Sequence, residues 1–248
     1  MDLFAGSIAA IRDFLARKAD EGKVSEHIHR GPVRWPTEKN RNLVLTADTA
    51  VELGHPKDAS TAFLFWVDDP SAVVDRRITL VGPDLRELAG RQVSFGKAVI
   101  VHGSGFDEQN SYARYREMEL LRYDIHLDGC MMRGVSQYQR EWSRVSRQAL
   151  DRGFSLNTLG GALMDRFSRL DYVRAVETIF ITSGKEDVLE LQGIAGGIFD
   201  RIGAMNKMAD DLNFDCDTCE FTEVCGEVSQ LRAMHRTMRE RGSAAHAR

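Results

Sequence analysis

Cys216, Cys219 and Cys225 stand within ten residues of one another in the stretch DCDTCEFTEVCGEVS, in a chain with only four cysteines. Two thiolates separated by two residues can turn toward one metal, and tetrahedral zinc and cubane iron–sulfur sites both use such pairs. Cys225 opens the run CGEVSQLRAMHRTM, in which Val228, Leu231, Met234, His235 and Met238 keep helical spacing. The expected arrangement is a ligand loop closed against a helix start. Its fourth ligand is open. His235 would complete a three-cysteine, one-histidine zinc site; Cys130, in HLDGCMMRG, would add a thiolate from a distance; and an exchangeable position would admit water or substrate. The expectation is a metal, with an iron–sulfur cluster preferred to zinc.

Arginine is the second chemical signal. Only seven of the 33 basic residues are lysine and the rest are arginine, whose planar forks grip phosphate or carboxylate in pairs. If residues 133–150 form one helix, 100 degrees per residue places Arg133, Arg140, Arg144 and Arg147 within about 60 degrees of one another. Val135, Tyr138, Trp142, Val145 and Ala149 then fall opposite. That predicts an apolar face against the protein and an outward row of guanidinium groups, either solvated or holding a polyphosphate or carboxylate. Among the histidines, His27 and His29 alternate as a ligand pair would but read more simply as surface residues of a loop, and His102 and His126 are candidate bases. No nucleophile elbow, phosphate-binding glycine loop or HExxH pattern points to a standard hydrolase or nucleotide enzyme.

The elements that must position these residues follow from periodicity. With 248 residues, 43% of them hydrophobic, the chain can bury a real core without a metal. No apolar run approaches a membrane span, the first residues lack a secretory pattern, and four cysteines do not make a disulfide framework, so a soluble cytoplasmic protein is expected. A net charge of -4 argues against broad nucleic-acid binding. Ile8, Ile11, Phe14 and Leu15 mark a first helix ended by Gly22, followed by an irregular, proline-broken connection. LVLTA from Leu43, TAFLFWV at 61–67, RRITLVG at 76–82, RQVSFGKAVIVHG at 91–103 and YVRAVETIFITS at 172–183 read as strands. Helices are expected in YARYREMELLRYDIHL, SQYQREWSRVSRQALDRG, NTLGGALMDRFSRL and the run from Val188 to Met205. Gly193, Gly196 and Gly197 either weaken that last helix or admit close packing. The fold expected is α/β (or α+β), a mixed sheet with packed helices. Residues 1–42 form an N-terminal helix and connection, 43–183 an α/β core, and 184–248 a helical part carrying the cysteine segment.

Taken together, residues from about Asp48 to Met238 resemble the central part of the acetyl-CoA synthase subunit, the beta component of the carbon monoxide dehydrogenase/acetyl-CoA synthase complex. VGPDLREL at 81–88, FGKAVIVHGSG at 95–105, EWSRVSRQALDRGF at 141–154, VETIFITS at 176–183, and CDTC followed by CGEVSQLRA carry the resemblance. It implies that Cys216, Cys219 and Cys225 ligate a [4Fe-4S] cluster, which in the family is bridged to a nickel pair. It also implies that the arginines around Trp142 serve coenzyme A binding, Arg140 and Arg144 flanking the matching tryptophan. The loop EFTEV is shorter than the family's and lacks its further cysteine. The family's later Cys-Gly-Cys and long C-terminal region have no counterpart before Arg248, so acetyl-CoA synthesis by this chain alone is not expected.

Three functions follow. The first is a stand-alone relative that keeps a cluster and an anion site and serves as an electron-transfer, acyl-handling or assembly partner, with a protein partner or as a homo-oligomer. The second is an enzyme acting on an acyl-CoA-like substrate at an open iron, and the third a zinc-stapled or metal-free scaffold. The first is preferred.

Overall fold

The computed structural model describes residues 3–37, 43–107, 109–135 and 140–210, together with Leu231. Helix α1 (Ala5–Asp20) buries Ile11, Phe14 and Leu15. It is followed by Gly22 at φ 70°, a left-handed position that glycine adopts without a Cβ penalty. The chain then runs as a strand, β1 (Val24–Ile28), through part of what reads in the sequence as irregular connection.

Two sheets carry the strands. The larger has the order β1-β4-β9-β6-β3, with β3 (Ser60–Val67), β4 (Arg77–Val81), β6 (Phe95–Gly103) and β9 (Val173–Ile181). β3 runs parallel to β6 and β4 parallel to β9, whereas β6 and β9 are antiparallel. STAFLFWV of β3 is buried at every position, as expected of a strand covered on both faces. Helix α5 (Lys185–Asp210) covers one face, where its Leu191 side chain would lie 3.0 Å from a Cβ added at Gly96. Helix α4 (Leu156–Phe167), capped by the Ser155 hydroxyl accepting Thr158 N–H, covers the other. There a Cβ at Gly160 would lie 3.0 Å from Ile78 and 3.1 Å from Phe180. Glu177 on β9 is fully buried yet paired: Arg12 of α1 donates to both its oxygens at 2.6 Å and Arg77 donates at 2.9 Å, so the first helix is tied to the sheet's centre.

The smaller sheet has the order β5-β2-β8-β7. It comprises β2 (Thr49–Leu53), β5 (Gln92–Val93), β7 (Cys130–Val135) and β8 (Arg140–Ser146), with helix α2 (Ser111–Tyr123) before β7 and the short α3 (Arg147–Asp151) after β8. Two expectations are corrected here. The strand predicted from Leu43 begins only at Thr49, where β2 finds β8 as its partner; Leu43 and Leu45 before it are exposed. The helix predicted over 133–150 is two antiparallel strands and one short helix. Its inward positions, Glu141, Ser143 and Val145, alternate with outward ones. Two of the three inward residues are polar, so a count of apolar residues misses the period of two. Of the three glycines singled out in α5, Gly193 and Gly196 admit no neighbour, nothing lying within 4 Å of a Cβ built there, whereas one at Gly197 would lie 3.0 Å from Arg201 Nη1.

Candidate functional site

Strand alternation places Arg140, Trp142 and Arg144 on one face of the smaller sheet. Arg133 on β7 lies directly opposite Trp142 in the antiparallel register and therefore shares that face. Glu52 of β2 lies opposite Arg144 on the other side. The structure thus unites four of the five predicted anion-site residues, by strand and not by helix geometry. Trp142 moves from the expected buried side to the arginine side, and Arg147 leaves the row at the start of α3, where it is exposed.

Glu52 organises this face. It is 5% exposed, and its Oε1 accepts Trp142 Nε1–H at 2.8 Å and Arg144 Nε–H at 2.9 Å, while Oε2 accepts from Gln92. Burial raises its carboxyl pKa, but the hydrogen bonds from Arg144, Gln92 and Trp142 and the charge of Arg144 outweigh that, leaving it below its ordinary value. The Arg144 guanidinium lies 4.5 Å from the centre of the Trp142 ring, a cation–π contact, and the His55 ring stands edge-on to the same indole. Since Glu52 engages Nε, both terminal amino groups of Arg144 remain without a partner among the described residues. Arg140 is partly spent, donating to the carbonyls of Asp58 at 2.6 Å and Pro56 at 3.3 Å. Arg133 is exposed. Three arginines against one buried glutamate leave the face positive. Sequence reasoning missed Glu52, Gln92 and His55; the glutamate inside the otherwise apolar alternation TAVEL was the available signal, since a buried carboxylate requires donors.

The inner side of β8 is anchored by a second charge. Lys97 of β6 and Glu141 are fully buried and paired, and the Ser60 hydroxyl donates to Glu141 O at 2.6 Å while accepting its N–H at 3.1 Å. Burial lowers the lysine pKa, and Glu141 opposes that. Cys130 lies among these groups at 2% exposure. Burial first, and the Glu141 charge next, push its thiol up to about 12, so its surroundings favour the neutral, unreactive thiol.

Cys216, Cys219 and Cys225 lie outside the described residues, and among those described no group of three or more His, Cys, Asp and Glu is arranged to hold a metal. The histidines separate. His27 is on the exposed edge strand β1 and His29 contacts Asp165 at 3.2 Å. His102 lies near the end of β6 and His126 lies 3.3 Å from Asp124. No helix among the described residues is long and apolar enough to cross a membrane.

Residues 32–188 match the family described as the CO dehydrogenase/acetyl-CoA synthase complex beta subunit. The acetyl-CoA decarbonylase/synthase complex subunit beta of Methanopyrus kandleri is 26% identical over 192 residues, 73% of this chain and 40% of that protein. Subunit beta 1 of Methanosarcina thermophila is 28% identical over 185 residues, 71% of this chain and 38% of its own length. The Methanothermobacter thermautotrophicus subunit is 32% identical over 141 residues, 56% of this chain and 28% of that protein. The chain therefore spans well under half the length of these relatives. The family match covers β2 to β9 and every residue of the arginine–tryptophan face, and on it the chain belongs to the CO dehydrogenase/acetyl-CoA synthase complex beta-subunit family.

Proposed function

We propose that this chain is an accessory, acyl-handling or electron-transfer component of a metalloenzyme system. It binds coenzyme A or an acyl-CoA on the Arg133–Arg140–Trp142–Arg144 face and carries an iron–sulfur cluster on its C-terminal cysteines. The observation that carries the ligand half is the Glu52–Arg144–Trp142 unit: a guanidinium fixed over an indole, with its terminal donors unspent among the described residues and two further arginines beside it. Such a face offers paired donors to phosphate and an aromatic edge to a base or acyl arm. Membership of the family of a complex's beta subunit supports a protein partner.

For the cluster, the donor set Cys216, Cys219 and Cys225 fits three of the four positions by residue type and spacing. Cys130 fits poorly: it is buried beside the Lys97–Glu141 pair, with no metal-holding group of ligand residues about it among the described residues. A cluster, when bound, supplies one-electron transfer or Lewis acidity at an open iron.

Calorimetric titration with coenzyme A tests the ligand half. Saturable binding is expected in the unmodified chain, with Arg144→Gln weakening it about ten- to a hundredfold, the worth of one or two charge-assisted hydrogen bonds. Unchanged affinity in Arg144→Gln removes the reading.

A further inference from the structure

The segment 32–37 crosses α4 and leaves a cavity of about 330 Å3 walled by Val33, Trp35, Ile125 and Ala162, with Asp124, Asp165, Arg166 and Arg169 around them. Both carboxylates are already engaged. Asp165 accepts Val33 N–H at 2.6 Å, Arg76 Nη2–H at 2.8 Å and lies 3.2 Å from His29 Nε2. Asp124 accepts from Arg166 and lies 3.3 Å from His126 Nε2.

The cations are not fully used. Arg166 gives Asp124 one terminal amino group, and the exposed Arg169 side chain has neither hydrogen bond nor ion pair among the described residues. The place of Arg166 in the last turn of α4 explains a positive charge there through the helix dipole. It does not explain the second arginine on the same cavity. Trp35 is itself fixed, its Nε1–H donating to Asp128 O at 2.9 Å and Arg152 lying 5.0 Å from its ring centre, so this wall of the cavity is preformed. Apolar walls with a few converging donors, in a cavity near the lower end of the small-molecule range, are the usual lining of a ligand site.

We propose that this cavity binds a small organic anion: one carboxylate or phosphate on a compact apolar body. The anionic group meets the guanidinium groups of Arg166 and Arg169, and the body lies against Trp35, Val33 and Ala162. The site is separate in its residues from the Trp142 face and stands whether or not that face binds coenzyme A.

Benzoate and phenyl phosphate are the probes and benzamide the uncharged control, read by calorimetry and by the indole N–H resonance of Trp35 in the full chain. At least one anion is expected to bind saturably with a dissociation constant of about 1 mM or below, about tenfold tighter than benzamide. Arg169→Gln, at an exposed residue with no partner among the described residues, is expected to weaken binding at least about fivefold, and Trp142→Phe to leave it unchanged. A preference for benzoate assigns a carboxylate ligand, and the reverse a phosphate. Absence of saturable binding by both anions, equal binding of benzamide, or wild-type affinity in Arg169→Gln overturns the proposal.

Discussion

Glu52 shows how much one buried carboxylate decides. Its oxygens hold Trp142, Arg144 and Gln92 at once, so its removal leaves a buried guanidinium and an indole without an acceptor. Glu52→Ala is expected to lower stability by about 2–3 kcal/mol at neutral pH, measured by urea unfolding. The pH dependence has a definite sign. Because the folded carboxyl lies below its ordinary value, its contribution is complete above the unfolded value of about 4.3. It is lost as pH falls through the lower folded value. Glu52→Gln should therefore flatten the acid limb of the stability curve below about pH 4.3, and an unchanged limb would show that the carboxylate is not held in this way. Lys97 and Glu141 make a matched pair of tests. Lys97→Met alone strands a buried carboxylate and should cost about 3–5 kcal/mol, whereas Lys97→Met with Glu141→Leu should return most of that loss. Near-additive losses in the double variant would contradict the pairing.

At the scale of elements, close approach separates glycines that look alike in sequence. A Cβ at Gly161 of α4 would lie 2.7 Å from the His29 ring and 2.8 Å from Val33, while one at Gly196 of α5 meets nothing within 4 Å. Gly161→Ala should lose about 1–3 kcal/mol. Gly196→Ala should gain about 0.4–1 kcal/mol by restricting the unfolded chain, with thermal unfolding as the readout. The same contrast explains what was legible beforehand. β3, β4, β6 and β9 announce themselves because they are apolar on both faces, and α1, α2, α4 and α5 because their apolar residues recur at helical spacing. β8 does not, since its inward Glu141 and Ser143 are polar and their burial depends on Lys97 and Ser60 far away in the chain. For that reason residues 133–150 read as a helix, Arg147 falls outside the row that the strands form, and Trp142 moves to the arginine side. β1 was hidden for a related reason: it is an exposed edge strand that, among the described residues, pairs only with β4, a contact no local pattern encodes.

For the whole molecule, the family match fixes the ancestry of residues 32–188, while the proposed function rests on two separable parts, the arginine–tryptophan face and the cysteine segment. Anaerobic purification with iron, sulfide and zinc quantified is expected to give about four iron and four sulfide per chain, with broad absorption near roughly 400 nm. About one zinc without iron or sulfide would replace the cluster with a structural staple. The account's central claim is that the ligand lies on the face built by Glu52, Arg144 and Trp142, and the chain's three tryptophans occupy three different settings. Trp66 is 1% exposed in the core, Trp35 lines the cavity beside α4, and Trp142 stands under Arg144. The direct measurement is a coenzyme A titration followed by the indole N–H resonances, assigned by single Trp→Phe variants. The account predicts a saturable shift of Trp142, with Trp66 unmoved and the response abolished or strongly weakened in Arg144→Gln. A Trp142 resonance that stays fixed at saturating coenzyme A would contradict it.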